Sequence, residues 1–122
     1  MKKAGTVLMY NCSGPEFSKL KQIFAMLRLL MRPVSPDKYH LTLTELALGQ
    51  GEVGETCEAF PEPMLVFCGT NGALVQQILE IIRLSKMPPM IKAVLTEDNQ
   101  NWDSKKLYEE LVKERDALSA QD

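Results

Sequence analysis

Two apolar runs of strand length, Thr6 to Tyr10 and Met64 to Cys68, are each followed by a polar Gly turn and a helical stretch with an apolar stripe. That pattern, met twice, predicts an α+β fold. The duplication is low in identity but clear in order: VLMYNCSGPEF lies over LVFCGTNGAL as strand, turn and helix start. Two successive β-α-β units read most simply as a ferredoxin-like split β-α-β sandwich, a four-stranded antiparallel sheet with two main helices on one face. To these the sequence adds a C-terminal helix and a short helix near 42–48. A flavodoxin-like parallel sheet needs more strands than the chain offers. One domain spans 1–122, in two halves at about 5–48 and 63–119 joined by an acidic Gly/Pro loop, 49–63.

The first strand ends at Asn11-Cys12-Ser13-Gly14-Pro15, and Ser13 to Glu16 has the spacing of a capping box that would start a helix. Phe17, Leu20, Ile23, Phe24, Leu27 and Leu30 then recur at three- and four-residue steps, which places them on one core-facing stripe. Arg32-Pro33-Val34-Ser35-Pro36 can hold only a short extended segment, and prolines without N–H groups suit an edge strand. Thr42 to Glu45 repeats the capping-box spacing ahead of a short helix that Gly49 ends.

Residues 49–63 hold three glycines, four glutamates and two prolines, a composition that predicts a mobile solvated loop. After the third strand, Gly69-Thr70-Asn71-Gly72 turns into a helix with Leu74, Val75, Ile78, Leu79, Ile81 and Ile82 on its apolar face, and Lys86-Met87-Pro88-Pro89 stops it. Met90 to Leu95 is the fourth strand. Asp103 has the character of an N-cap for a last helix, with Leu107, Tyr108, Leu111, Val112 and Leu118 on one side and Lys/Glu pairs one turn apart on the other.

The two central strands do not alternate apolar and polar residues, as a sheet with one open face should. Something must cover the second face, either the extra helices or a second copy of the sheet in a homodimer.

Fourteen basic against sixteen acidic residues give a formal charge of −2, so no global attraction to nucleic acid or to an anionic membrane is expected. Lys2 and Lys3 precede an apolar run too short for a signal peptide, and no segment has the roughly 18 apolar residues of a membrane span, so a cytoplasmic protein is expected. Three cysteines without CxxC spacing point to reduced thiols and to neither a disulfide framework nor a zinc site.

The anion reading takes the first and third strands as parallel neighbours. The turns at Ser13-Gly14 and Thr70-Asn71 would then emerge side by side, two helix N-termini aimed the same way, a geometry that binds anions through backbone amides. Neither turn contains Lys or Arg, and capping explains the same residues. Cys12 and Cys68 fall at the same strand ends, where a helix N-terminus can lower a thiol pKa, although small buried side chains are the plainer reading. Tyr10 and Phe67 sit where RNA-recognition motifs carry stacking aromatics, but the basic surround is missing and core packing is preferred. His40 stands alone in a turn. HExxH, GxSxG, P-loop and dinucleotide fingerprints are absent, and no catalytic residue, metal site or cofactor is expected.

The text IKAVLTEDNQNWDSKKLYEELVKE, preceded by PMLVFCGTNGALVQQILEIIRLSKMPP, resembles a small bacterial family, domain of unknown function 3783. The matching positions are Pro63, Lys92, Ala93, Val94, Thr96, Asn99, Trp102, Leu107, Glu110 and Leu111. The first half is similar to an N-terminal part that longer members carry. The resemblance implies no activity, substrate or cofactor. Lys92 reads as an edge or rim charge, Thr96 and Asn99 as turn builders, and Trp102 as an anchor for the last helix.

The expectation is therefore a non-catalytic interaction or regulatory module with an unknown protein partner, dimeric through its sheet face. A small-molecule or anion sensor using Ser13, Gly14, Thr70 and Asn71 is the alternative, and a cysteine-dependent enzyme the third reading.

Overall fold

The computed structural model describes residues 5–85, 87 and 89–120, without the side chains of 118–120. Its elements are β1 (Gly5–Tyr10), α1 (Pro15–Met26), β2 (Leu29–Val34), a 3-10 turn (Pro36–Lys38), α2 (Leu43–Leu48), β3 (Met64–Cys68), α3 (Gly72–Leu84), β4 (Ile91–Val94) and α4 (Ser104–Ala120). The four strands and four α-helices form a mixed α/β fold in which the sheet order is β2-β1-β3-β4.

The sheet is not antiparallel throughout. β1 pairs parallel with β2, β3 parallel with β4, and only the central pair β1/β3 is antiparallel. This corrects the ferredoxin-like expectation, in which each half would leave a gap for a strand of the other. Here α1 is joined to β2 by Leu27 and Arg28 alone, so the chain returns directly beside the strand it left. Each half is thus a closed β-α-β unit. With α1 and α3 on one face and the central pair antiparallel, a two-fold axis normal to the sheet relates the halves.

Two boundaries also moved. α1 stops at Met26 because Leu27 caps it and Arg28 turns into the left-handed region at φ 64°, so Leu30 lies in β2 rather than on the helix stripe. The expected box at Ser13 does not form: Gly14, at φ 115°, is the N-cap and makes no side-chain cap bond, with Pro15 opening the first turn. The box at Thr42 and Glu45 forms with both bonds, and Gly49 closes α2 in the left-handed conformation at φ 70°. Asp103 caps α4 through Oδ1, which accepts from the Lys106 amide at 2.8 Å. Lys86, Pro88 and the Leu118 side chain lie outside the described residues.

β1 from Val7 on and all of β3 are buried on both faces. Val7, Met9, Leu65 and Phe67 pack under α1 and α3 with Phe17, Leu20, Phe24, Val75, Ile78 and Ile82. On the opposite face, Leu8, Tyr10, Met64 and Val66 are covered by Leu43 and Leu46 of α2, by Tyr39 and Leu41, and by Leu107 of α4 with Tyr108, Leu111 and Val112 behind it. Of the two covers expected for the second face, the chain's own extra helices are the one present, in a three-layer arrangement. A buried bond between Tyr10 Oη and Ser104 Oγ, 2.7 Å, ties α4 to the central strand.

The 49–63 loop has no regular structure but carries its own anchors. The Gly54 amide donates to Asp37 O at 2.8 Å, and the Cys57 thiol to Pro36 O at 3.3 Å. Phe60 is buried, its ring stacked between Tyr39 at 4.2 Å and Tyr108 at 4.3 Å. One aromatic side chain thus joins the first half to the last helix.

Candidate functional site at the outer edge of β4

The two turns expected to form one anion site do not meet. With Thr6 opposite Cys68 and Tyr10 opposite Met64, the Ser13-Gly14 turn leaves one end of the sheet and the Thr70-Asn71 turn the other. Asn71 is occupied as the α3 N-cap, its Oδ1 accepting from the Leu74 amide at 2.7 Å. Thr70 Oγ1 is buried without a partner among the described residues.

Ser13 instead lines a cleft of about 360 Å³ with Asn11, Cys12, Lys21 and Ser35, at the carboxyl ends of β1 and β2. Lys21 was missed because it lies in the helix, not in the turn. The cleft does not activate Cys12: burial pushes its thiol up to about 11 despite the lowering effect of Lys21, and the thiol donates to Tyr10 O at 3.4 Å. Burial raises Cys68 to about 11 as well. Both stay protonated near neutrality, the poorly nucleophilic form of a thiol. His40 is exposed in its turn, and Tyr10 and Phe67 are buried on opposite faces of the sheet, so neither aromatic can stack on a base. Among the described residues no three His, Cys, Asp or Glu side chains gather as a metal site.

The turn after β4 is built by two of the expected residues acting on each other. The Thr96 amide donates to Asn99 Oδ1 at 2.8 Å and the Asn99 amide to Thr96 Oγ1 at 3.2 Å. Asn99 is buried, and its Nδ2 donates to Val94 O at 3.1 Å. Trp102 is half-buried against the second-face core; its carbonyl accepts from the Leu43 amide at 2.9 Å, and Lys106 Nζ lies 5.3 Å from its ring centroid. The N-cap residues Thr42 and Asp103 pair across this seam in an isolated antiparallel bridge.

β4 pairs with β3 alone and so ends the sheet. The Ile91 amide donates to Pro63 O and the Leu95 amide to Phe67 O, each at 2.9 Å. Because backbone groups alternate along a strand, those of Lys92 and Val94 face outward. Lys92 is exposed, and Val94 is 41% exposed. Beside this edge runs a groove of about 340 Å³ with Leu79, Ile82, Met87 and Met90 as apolar lining and Arg83, Lys92, Arg115 and Glu62 as charges. Arg115 grips Glu62 through two bonds, 2.7 and 2.8 Å, and Arg83 pairs with Glu80. Lys92 has no ion pair among the described residues.

The other edge is built differently. Pro33 removes a donor from β2, Arg32 Nε donates to Ala47 O at 3.2 Å, and the Gly49–Gly51 segment lies alongside. Of the two edges, sequence reasoning found the closed one through its prolines; the open one was visible only as Lys92.

Residues 63–118, the half that carries β3, α3, β4 and α4, match the family model described as Domain of unknown function (DUF3783). The resemblance to that family is thus shown over this span, and residues 1–62 lie outside it. No curated protein and no solved structure matches the chain.

Proposed function

We propose that the protein is a non-catalytic interaction module that docks a partner segment along the open edge of β4. The observation that carries this reading is the unequal construction of two edges that the internal two-fold relates: β2 is closed by Pro33, Arg32 and α2, while β4 keeps outward-facing backbone groups beside an apolar groove. An exposed edge is costly for a soluble chain to leave unguarded, and a docked strand uses the same groups for main-chain recognition. Thiols held near 11 support the non-catalytic part. None of the described helices is long and apolar enough to cross a membrane.

Phage display of random peptides against the full chain tests this, with Val94→Pro as the counter-selection, because proline deletes an outward amide while sparing the inward ladder. Enrichment of peptides that bind the parent and not the variant is the expected result. A library yielding only binders indifferent to Val94→Pro would sink the reading.

The Ser13 cleft supports a second reading, a small-anion site, because Lys21 supplies there the cation that the turn itself lacks. Isothermal titration with inorganic phosphate checks it, with Lys21→Ala expected to abolish any heat; binding that survives the substitution would contradict it.

A further inference from the structure

We propose that the segment taken up along β4 is an extended acidic peptide, added as a strand with apolar side chains over Leu79 and Ile82 and carboxylates toward Arg83, Lys92 and Arg115. The proposal rests on the edge-docking reading above and deepens it by naming the chemistry of the occupant.

Charge is the first argument. The groove lining holds three cations, Arg83, Lys92 and Arg115, and one carboxylate, Glu62; Arg83 is paired with Glu80 and Arg115 with Glu62 and Asp116, which leaves Lys92 as the lining cation without a carboxylate of its own among the described residues. Lys92 stands at the centre of the edge with no ion pair among the described residues. The two arginines hold exposed carboxylates, but such pairs contribute only about 0–1 kcal/mol. A guanidinium also has five donors and accepts a second carboxylate without releasing the first.

Geometry is the second. Leu65 is the parallel partner of Lys92 and Phe67 that of Val94, so both edge side chains lie on the α3 face, where the groove runs. A strand laid along β4 places every second side chain over that groove, about 6.8 Å apart. The Lys92 amide and carbonyl and the Val94 amide are available to it. Val94 O is already taken by Asn99 Nδ2, which ends the ladder there and limits the occupant to a short segment. Exclusion of long strands is how natural edges avoid indiscriminate pairing, and Lys92 reinforces it by favouring carboxylates.

Three blocked seven-residue peptides with the same alternation, Val/Glu, Val/Gln and Val/Lys, titrated into the 15N-labelled full chain test this directly. The Val/Glu peptide is expected to shift and protect the Lys92 and Val94 amides, to bind at least tenfold tighter than Val/Lys, and to weaken in 0.5 M salt. Lys92→Glu should reverse the preference, and Val94→Pro, checked for native circular dichroism, should remove binding of all three. Equal binding by the neutral or basic peptide at these amides overturns the acidic preference and leaves edge docking standing. If none of the three reaches these amides, edge docking itself falls. Concentration-dependent dimerisation by light scattering, with the same amides protected before any peptide is added, would assign the edge to a second copy and overturn the proposal.

Discussion

The two edge strands occupy equivalent places in a duplicated architecture and are finished in opposite ways. β2 has six residues, a proline near its end and an arginine tied to the C-terminal turn of α2. β4 has four, no proline, and a lysine and a half-exposed valine facing out. Both edges share the hazard of unpaired backbone groups, and the first half closes it with Arg32 bonded to α2 and with the Gly49–Gly51 segment. In the second half the segment after β4, Leu95 to Asp103, folds back on its own strand end through Asn99 and leaves the middle of β4 uncovered. Duplicated halves thus show which features the fold needs, since those recur, and which serve something else.

The largest test of that comparison concerns what joins the halves. Phe60→Ala removes a ring stacked between Tyr39 and Tyr108 and should lower unfolding free energy by about 3–5 kcal/mol. Urea denaturation measures it, and a loss below about 1 kcal/mol would mean the loop is not anchored as described. Asn99→Ala deletes a buried side chain that accepts from Thr96 and donates to Val94. About 1–3 kcal/mol should be lost, and the freed Val94 carbonyl should lengthen the open edge, seen as binding of longer peptides.

Alkaline titration produces a smaller, graded effect. Cys12 and Cys68 are raised from about 9 to about 11 by burial. The unfolded chain releases these protons first, so the contribution to stability is complete below pH 9 and is lost as pH rises toward 11. Denaturant midpoints falling over that window in the parent, and falling less in Cys12→Ala, are expected; identical slopes would contradict the burial argument. Smallest of all, Lys92→Glu should leave stability within about 0.5 kcal/mol of the parent, as exposed sites do, so that any change in docking is read without a folding defect.

Much of the chain was legible in its sequence, and the failures have identifiable causes. β3 was placed at Met64 to Cys68 because an unbroken apolar run bounded by Pro63 and Gly69 admits little else. The cap at Thr42 and the one at Asp103 were read from residue type and spacing alone. Leu30 was misread because a helix stripe and an apolar strand look alike in a short run, and a single left-handed residue, Arg28, separates the two. Strand order was misread for a deeper reason: β-α-β periodicity says nothing about whether the second unit inserts beside the first or pairs with it. The shared end for Ser13 and Thr70 failed separately, because it required β1 and β3 to run parallel and they pair antiparallel. The site signals were weaker still. Lys92 and Asn99 were singled out by resemblance, while Arg83, Arg115 and Lys21 gained meaning only when helices from separate parts of the chain brought them to a groove or a cleft.

The central claim, that β4 is the working edge and β2 the closed one, is tested most directly by residue-resolved amide exchange on the full chain with and without the Val/Glu peptide. Lys92 and Val94 should exchange rapidly in the free protein, in contrast to the inward-bonded Leu95, and slow at least tenfold on binding, while the β2 amides stay unchanged. Slow exchange at Lys92 and Val94 before any addition, or protection appearing along β2 instead, would contradict the account.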